Sequence, residues 1–303
     1  MKNNEMIEKF FEKALSDKES HFSAKCDGNM VHIYLNGIEA GSFAMKAELE
    51  NAICGRSYED FKRAYNSVNK VASLLKNPLK MDSYEEVRNK LILRPVNYEI
   101  RKEDLKNVPY IRIGDIALAL YVEVWHSGGD YYTTKIQKDN LKTWGKDAKE
   151  VISAAMNNTK KKYPPVAYSV DLEPKTEPMV HEIEDFFGDC ECNFDAKYGC
   201  ILTNELQVNG AIAAFYPGVM RKVAERMGDD IYLAFTSINE AQIHKASNME
   251  VGVVNEALTE TNRACNADYE ILANEAYCYS RKKQCFGVIK NGAFHALEVK
   301  ISE

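Results

Sequence analysis

No catalytic signature is present in the 303 residues: there is no GxSxG elbow, no HExxH pair, no P-loop and no GxGxxG turn. The chain also lacks a long apolar run. Residues 116–122 form the longest, far short of the roughly 20 residues that span a bilayer. No leader is visible either, because Met6, Ile7, Phe10, Phe11, Ala14 and Leu15 form a helical stripe interrupted by Glu and Lys, where a signal peptide would be a continuous apolar block. The expected location is therefore the cytoplasm, with no membrane partner. Neither sign of charge is in large excess: 39 basic against 45 acidic residues gives −6, the wrong sign for an electrostatic phosphate binder, so nucleic acid is not expected as the main partner. Eight cysteines in a chain of this length without a leader are expected to be reduced thiols.

What the chain does have is dense fold signalling. Its length is enough to bury roughly 75% of the unfolded surface. The clearest stretch is residues 198–244. Ile201 and Leu202 lead to Asn209-Gly210, a dipeptide suited to a type I′ turn, and residues 211–215 are expected as the return strand of a hairpin. Pro217 then opens a helix carrying Val219, Met220, Val223, Ala224 and Met227 on one face and stopping at Gly228. Ile231, Leu233 and Phe235 alternate as a strand leaning on that helix. The expected class is α+β, mostly antiparallel sheets built of hairpins with helices packed on one face.

Other segments fit that class. Residues 21–26 and 30–35 flank Asp27-Gly28 as a hairpin, and a long helix with Ser57 and Asp60 at its start is expected through Leu75, ended by Asn77-Pro78. A shorter helix capped by Ser83 and Glu86 runs to about Leu91, and Arg94-Pro95 forces extended backbone. That suggests two domains, 1–92 and 93–303. Residues 116–125 alternate as a strand in the middle of a sheet; 131–136 is a second strand, and a helix from Asp147 buries Ala148, Val151, Ile152, Ala155 and Met156. The order strand, strand, helix recurs at 231–262, a suggestion of two related supersecondary units. Residues 160–178, with the run Lys160-Lys161-Lys162 and four prolines, read as a linker, followed by a helix over 177–187. Strands at 276–280, 284–290 and 293–301 close the chain.

The segments GRSYEDF (55–61), RPVNYE (94–99), GDIALALYVEV (114–124), LKTWG (141–145), NNT, LTNE, NGA, FYPGV and TSINE (236–240), in that order, resemble an uncharacterised domain-of-unknown-function family abundant in gut Firmicutes and sometimes found near mobile elements. The resemblance spans nearly the whole chain and implies no established activity, substrate or binding residue.

Candidate chemistry comes from clusters. His181, Cys190, Cys192 and Cys200 are ligand types that zinc takes, but one residue between the paired cysteines is tighter than the usual two, so plain thiols are the alternative and no cofactor is expected. Cys278 and Cys285 would face each other in a hairpin centred between Arg281 and Lys282. His126 beside Asp130 is a possible general base at a strand end, or else a turn histidine. Asn204, Glu205, Tyr216, Ser237, Asn239, Glu240 and His244 would converge as a polar cleft if their strands adjoin; a solvated turn explains the same residues. The expected function is a non-enzymatic interaction protein with an unidentified protein partner. The alternative is a small-molecule or metal-assisted hydrolase with a cleft near His126, Glu240 and His244.

Overall fold

The computed structural model describes residues 4–5, 7–9, 12, 22–27, 30–35, 38–43, 81–127, 130–169, 181–182 and 199–302. The chain divides into two compact units, Met1–Lys80 and Met81–Glu303. In the first, β1 (Phe22–Asp27), β2 (Met30–Leu35) and β3 (Ile38–Phe43) make an antiparallel sheet. Asp27 pairs with Met30, the tight hairpin that Asp27-Gly28 signals, and Cys26 N–H donates to Glu8 Oε1 at 2.9 Å, tying the sheet to the N-terminal helical residues. The expected helix over 57–75 lies outside the described residues.

The second unit opens with a short helix, α1 (Tyr84–Val87), and a 3-10 turn, Arg88–Lys90. Ser83 sits at the N-cap but makes no side-chain capping bond. Four strands of a five-stranded sheet follow, β4 (Leu91–Asn97), β5 (Tyr110–Ile113), β6 (Ile116–Ser127) and β7 (Asp130–Lys135); the fifth comes from the last residues of the chain. β6 is its centre. It pairs with β4 along one side and with β5 then β7 along the other, so its ladder is satisfied on both edges, and Ile116 to Val122 lie buried. Helix α2 (Lys138–Trp144) ends at Gly145 with φ of 62°, and α3 (Ala148–Lys162) begins where the Asp147 side chain accepts from Lys149 N–H at 2.8 Å. Val151, Ile152, Ala155, Met156 and Thr159 form its buried face; Ala148 is only half-buried. Thr159 fixes the packing: its Oγ1 accepts from Leu93 N–H at 2.9 Å, docking α3 on the outer edge of β4.

The segment read as a linker is in part structural. β8 (Pro165–Ser169) follows α3 directly and lies inside an eight-stranded sheet. Proline at the first strand position is permitted because no ladder N–H is needed there, and Val166 and Ala167 are buried. The helix expected over 177–187 is not formed at His181–Glu182, which is β9, paired with Val166 and Ala167. The sheet order is β15-β14-β13-β11-β12-β10-β8-β9, antiparallel throughout. Its strands are β10 (Cys200–Asn204), β11 (Ile231–Ser237), β12 (Glu240–Lys245), β13 (Tyr277–Ser280), β14 (Cys285–Lys290) and β15 (Ala293–Ala296).

The expected hairpin return strand at 211–215 is instead a buried 3-10 helix, Gly210–Phe215. Asn209 does take the positive φ (51°) that Asn-Gly favours, but Ala211 to Phe215 are buried at every position and show no alternation. Three residues per turn put Ile212 and Phe215 on one side, and Phe215 stacks on Phe235 at 5.4 Å. Gly210 is required: a Cβ there would meet Thr203 Oγ1 at 2.0 Å and the Asn239 carbonyl at 2.5 Å. Helix α4 (Val219–Met227) then runs as expected from Gly218 to Gly228. Helix α5 (Val251–Cys265) covers the opposite face of the sheet, burying Val254 and Leu258 against Ala234 and Ala276. The repeated order strand, strand, helix is visible as β6-β7-α3 and β11-β12-α5, although α3 packs on β4 and α5 on β11.

The last expected strand is two. β15 ends the eight-stranded sheet, and after Leu297-Glu298 the chain crosses to form β16 (Val299–Ile301) against β5. The β13–β14 register also differs from expectation: Cys278 opposes Gly287 and Ser280 opposes Cys285. The turn closes through Gln284 N–H to the Ser280 carbonyl at 2.7 Å, with Gln284 at φ 50°, so the centre moves one residue on and the thiols are not facing. The architecture is α+β with three mostly antiparallel sheets, and no described helix is long and apolar enough to cross a membrane.

Candidate functional site

The polar residues nominated from sequence fall into three places. At one end of β10 and the β11–β12 turn, Thr203 Oγ1 donates to the Asn239 carbonyl (2.6 Å), Asn209 N–H donates to Asn239 Oδ1 (2.9 Å) and Asn239 N–H donates to Ser237 Oγ (3.0 Å). Asn204 adjoins them; its Nδ2 donates to the Val208 carbonyl at 3.0 Å, and its buried Oδ1 has no hydrogen-bond partner among the described residues. Glu240 accepts from Thr236 Oγ1 at 3.1 Å on the turn's far side. Glu205 is exposed, and its N–H donates to the Pro164 carbonyl. Tyr216 is buried, with its hydroxyl donating to the Tyr163 carbonyl at 3.0 Å.

His244 occupies the other end of β12. Four residues at strand rise separate its Cα from that of Glu240 by roughly 13 Å. Its imidazole lies against Gly199, where a Cβ would come within 2.6 Å of Nδ1. Burial holds its pKa below the ordinary histidine value. His126 is on β6, opposite Tyr131, and its side chain lies outside the described residues. Of the zinc candidates, Cys200 is buried on β10 and His181 is on β9, with β8 between them; Cys190 and Cys192 lie outside the described residues. Among the described residues, no group of three or more His, Cys, Asp or Glu side chains is arranged to hold a metal ion.

Sequence marks Arg94 only as the residue before a proline. Arg94 interrupts the apolar strand β4 and is half-buried. Its guanidinium lies over the Tyr121 ring, 4.9 Å from the centroid; Nε donates to Asn209 Oδ1 at 3.3 Å and Nη1 to Thr133 Oγ1 at 2.8 Å. Both acceptors are neutral. Arg94 thus joins the five-stranded sheet to the Asn209–Asn239 cluster of the eight-stranded one. Nearby, Arg101 and Lys135 share one carboxylate, Asp104, at 3.4 and 3.5 Å. Glu123 is held by Lys162 at 2.8 Å and by the Tyr163 hydroxyl. A lone charged residue in an otherwise apolar strand was the signal that could have found this arrangement.

Two surface features lie apart from these clusters. A depression of about 760 Å³ lies between α2 and the start of α3, lined by Lys138, Lys142, Lys146, Asp139 and Asp147. Lys142 is neutralised by Asp139 and Lys146 by Glu150. The second feature is β15. Asn291 and Gly292, at φ 51° and 74°, make a two-residue turn that closes on the pair Lys290 and Ala293. Alternation of the antiparallel ladder then turns the backbone groups of Phe294 and Ala296 away from β14. Ala293, His295 and Ala296 are exposed. Residues 281–300 carry Arg281, Lys282, Lys283, Lys290 and Lys300 against the single acid Glu298, in a chain whose net charge is −6.

No curated protein and no solved structure matches the chain. A family of unknown function, DUF5688, matches residues 50–281, and the chain belongs to that family.

Proposed function

We propose that this DUF5688 member is a non-enzymatic, cytoplasmic interaction protein that takes up an extended acidic segment of a partner protein along the edge of β15. The observation that carries this reading is the edge itself, a short strand without proline whose outward backbone groups are joined by no further strand among the described residues. Strand addition draws affinity from main-chain hydrogen bonds and specificity from flanking side chains. Here those flanks are basic: Lys290 stands at one end of β15, and Lys283, over the Phe294 ring at 4.7 Å, near its other end. The acidic character of the rest of the chain makes that local excess selective and disfavours a second copy as occupant.

The test uses the full chain, a short alternating Glu-Val peptide and its Lys-Val counterpart. The acidic peptide is expected to bind at least about tenfold more tightly, with affinity falling as salt rises. Ala296→Pro removes one outward N–H without touching the β14 ladder and is expected to abolish binding. Equal binding of the two peptides, or retention by the proline variant, would refute the edge as the docking site, as would dimerisation of the chain through it.

A further inference from the structure

We infer that Arg94 anchors a binding site for a small oxyanion, a carboxylate or phosphate group presented to the free edge of its guanidinium. The arginine is half-buried between two sheets, and its described partners are the amide oxygen of Asn209, the hydroxyl of Thr133 and the ring of Tyr121. A guanidinium has five N–H donors, and these contacts engage only Nε and one proton of Nη1. The remaining Nη1 and Nη2 protons lie in one plane with the spacing that matches two oxygens of a carboxylate or phosphate.

Two further observations point to an anion. A partly desolvated cation costs free energy that neutral acceptors offset only in part, and no described carboxylate pairs with Arg94. The local charge is also uneven: Arg101 and Lys135 divide one Asp104 between them, and Glu123 is already occupied by Lys162 and Tyr163. Among the described residues, the neighbourhood therefore carries an excess of positive charge within an acidic protein. Tyr121 holds the guanidinium plane from below and Thr133 and Asn209 fix its rotation, so the fork is preorganised. Arg94 is read here as a binding residue, with no bond-making role assigned.

The test is titration of the purified full chain with sodium acetate and, separately, inorganic phosphate, each against sodium chloride at matched ionic strength. The Nε–H resonance of Arg94, identified by its absence from the Arg94→Lys spectrum, is expected to shift and saturate with one or both oxyanions and to stay put in chloride. Acetate alone would assign an organic carboxylate, phosphate alone a phosphate ester, and both the shared oxyanion chemistry. Arg94→Lys keeps the charge but loses the fork, and is expected to weaken binding by about tenfold or more. Because the titration reads the wild-type protein, it does not depend on a variant folding. A resonance that responds no more to acetate or phosphate than to chloride, or equal affinity in Arg94→Lys, would overturn the assignment.

Discussion

Removing one oxygen from Tyr277 is expected to loosen the join between the two large sheets. The side chain is 1% exposed on β13, and its hydroxyl donates to the Ile113 carbonyl at 2.9 Å while accepting from Asp115 N–H at 2.8 Å, both in the β5–β6 turn. Gly114 lies between those residues at φ 59°, and a Cβ there would sit 2.5 Å from the hydroxyl, so the turn is folded tightly around it. Tyr277→Phe keeps the ring and its edge contact with Phe235 at 5.3 Å, leaving apolar packing constant. It strips a partner from one donor and one acceptor. Each orphaned buried group costs about 1–3 kcal/mol; Ile113 is buried and Asp115 only half-buried, so the sum is roughly 2–3 kcal/mol. For a unit of this size that corresponds to a fall in Tm of about 4–10 °C. Urea denaturation and calorimetry of the two proteins measure it. A loss below about 0.5 kcal/mol would show that water or turn relaxation satisfies both groups, and the hydroxyl would not be the tie between the sheets.

Gly210→Ala is expected to cost about 2–3 kcal/mol or more in urea denaturation, because the new methyl would overlap Thr203 Oγ1 and two backbone atoms that have no free space to retreat into. Alkylation with iodoacetamide at pH 8, read by mass spectrometry on the native protein, is expected to modify exposed Cys265 and spare Cys278, whose pKa is pushed up to about 12 by burial and then by the nearby Asp230 and Asp229 carboxylates. Stability is expected to fall on acidification through His244: burial depresses its folded-state pKa, so below about pH 6.5 the unfolded chain binds the proton more readily and the folded state loses ground until the lower value is passed. Urea midpoints at pH 7 and pH 5 in wild type and His244→Gln check this, and an unchanged pH slope in the variant would refute it.

The elements most legible in the sequence were those whose signals were local. Helix α4 is bounded by glycines and carries its apolar residues at helical spacing, and the strands β6 and β11 open on apolar or alternating runs, so the position of each is legible within a residue or two. The errors arose where tertiary packing decides. Gly210–Phe215 has no period of its own; it becomes a 3-10 turn because Gly210 lets it press against Thr203 and Asn239. Residues 165–169 were hidden by the prolines and lysines around them, although Val166 and Ala167 were the mark of a buried strand. The candidate site divides in the same way. Asn204, Ser237 and Asn239 could be grouped from neighbouring turns, whereas the bond from Arg94 to Asn209 spans 115 residues and follows only from the sheets meeting.

The crossing at Leu297-Glu298 has a consequence for the order in which the molecule is assembled. β15 completes one sheet and β16 the other within nine residues, Ala293 to Ile301, and β16 pairs Lys300 with Arg112 while Ser302 Oγ accepts from Tyr110 N–H at 2.8 Å. A nascent chain therefore carries β5 with one side unclosed until residues up to Ser302 have left the ribosome, and the loop then to be closed is among the longest in the structure. A chain cut just before Leu297 would keep β15 on β14 and β5 on β6, and would leave the other side of β5 unpaired even though its own residues are all present.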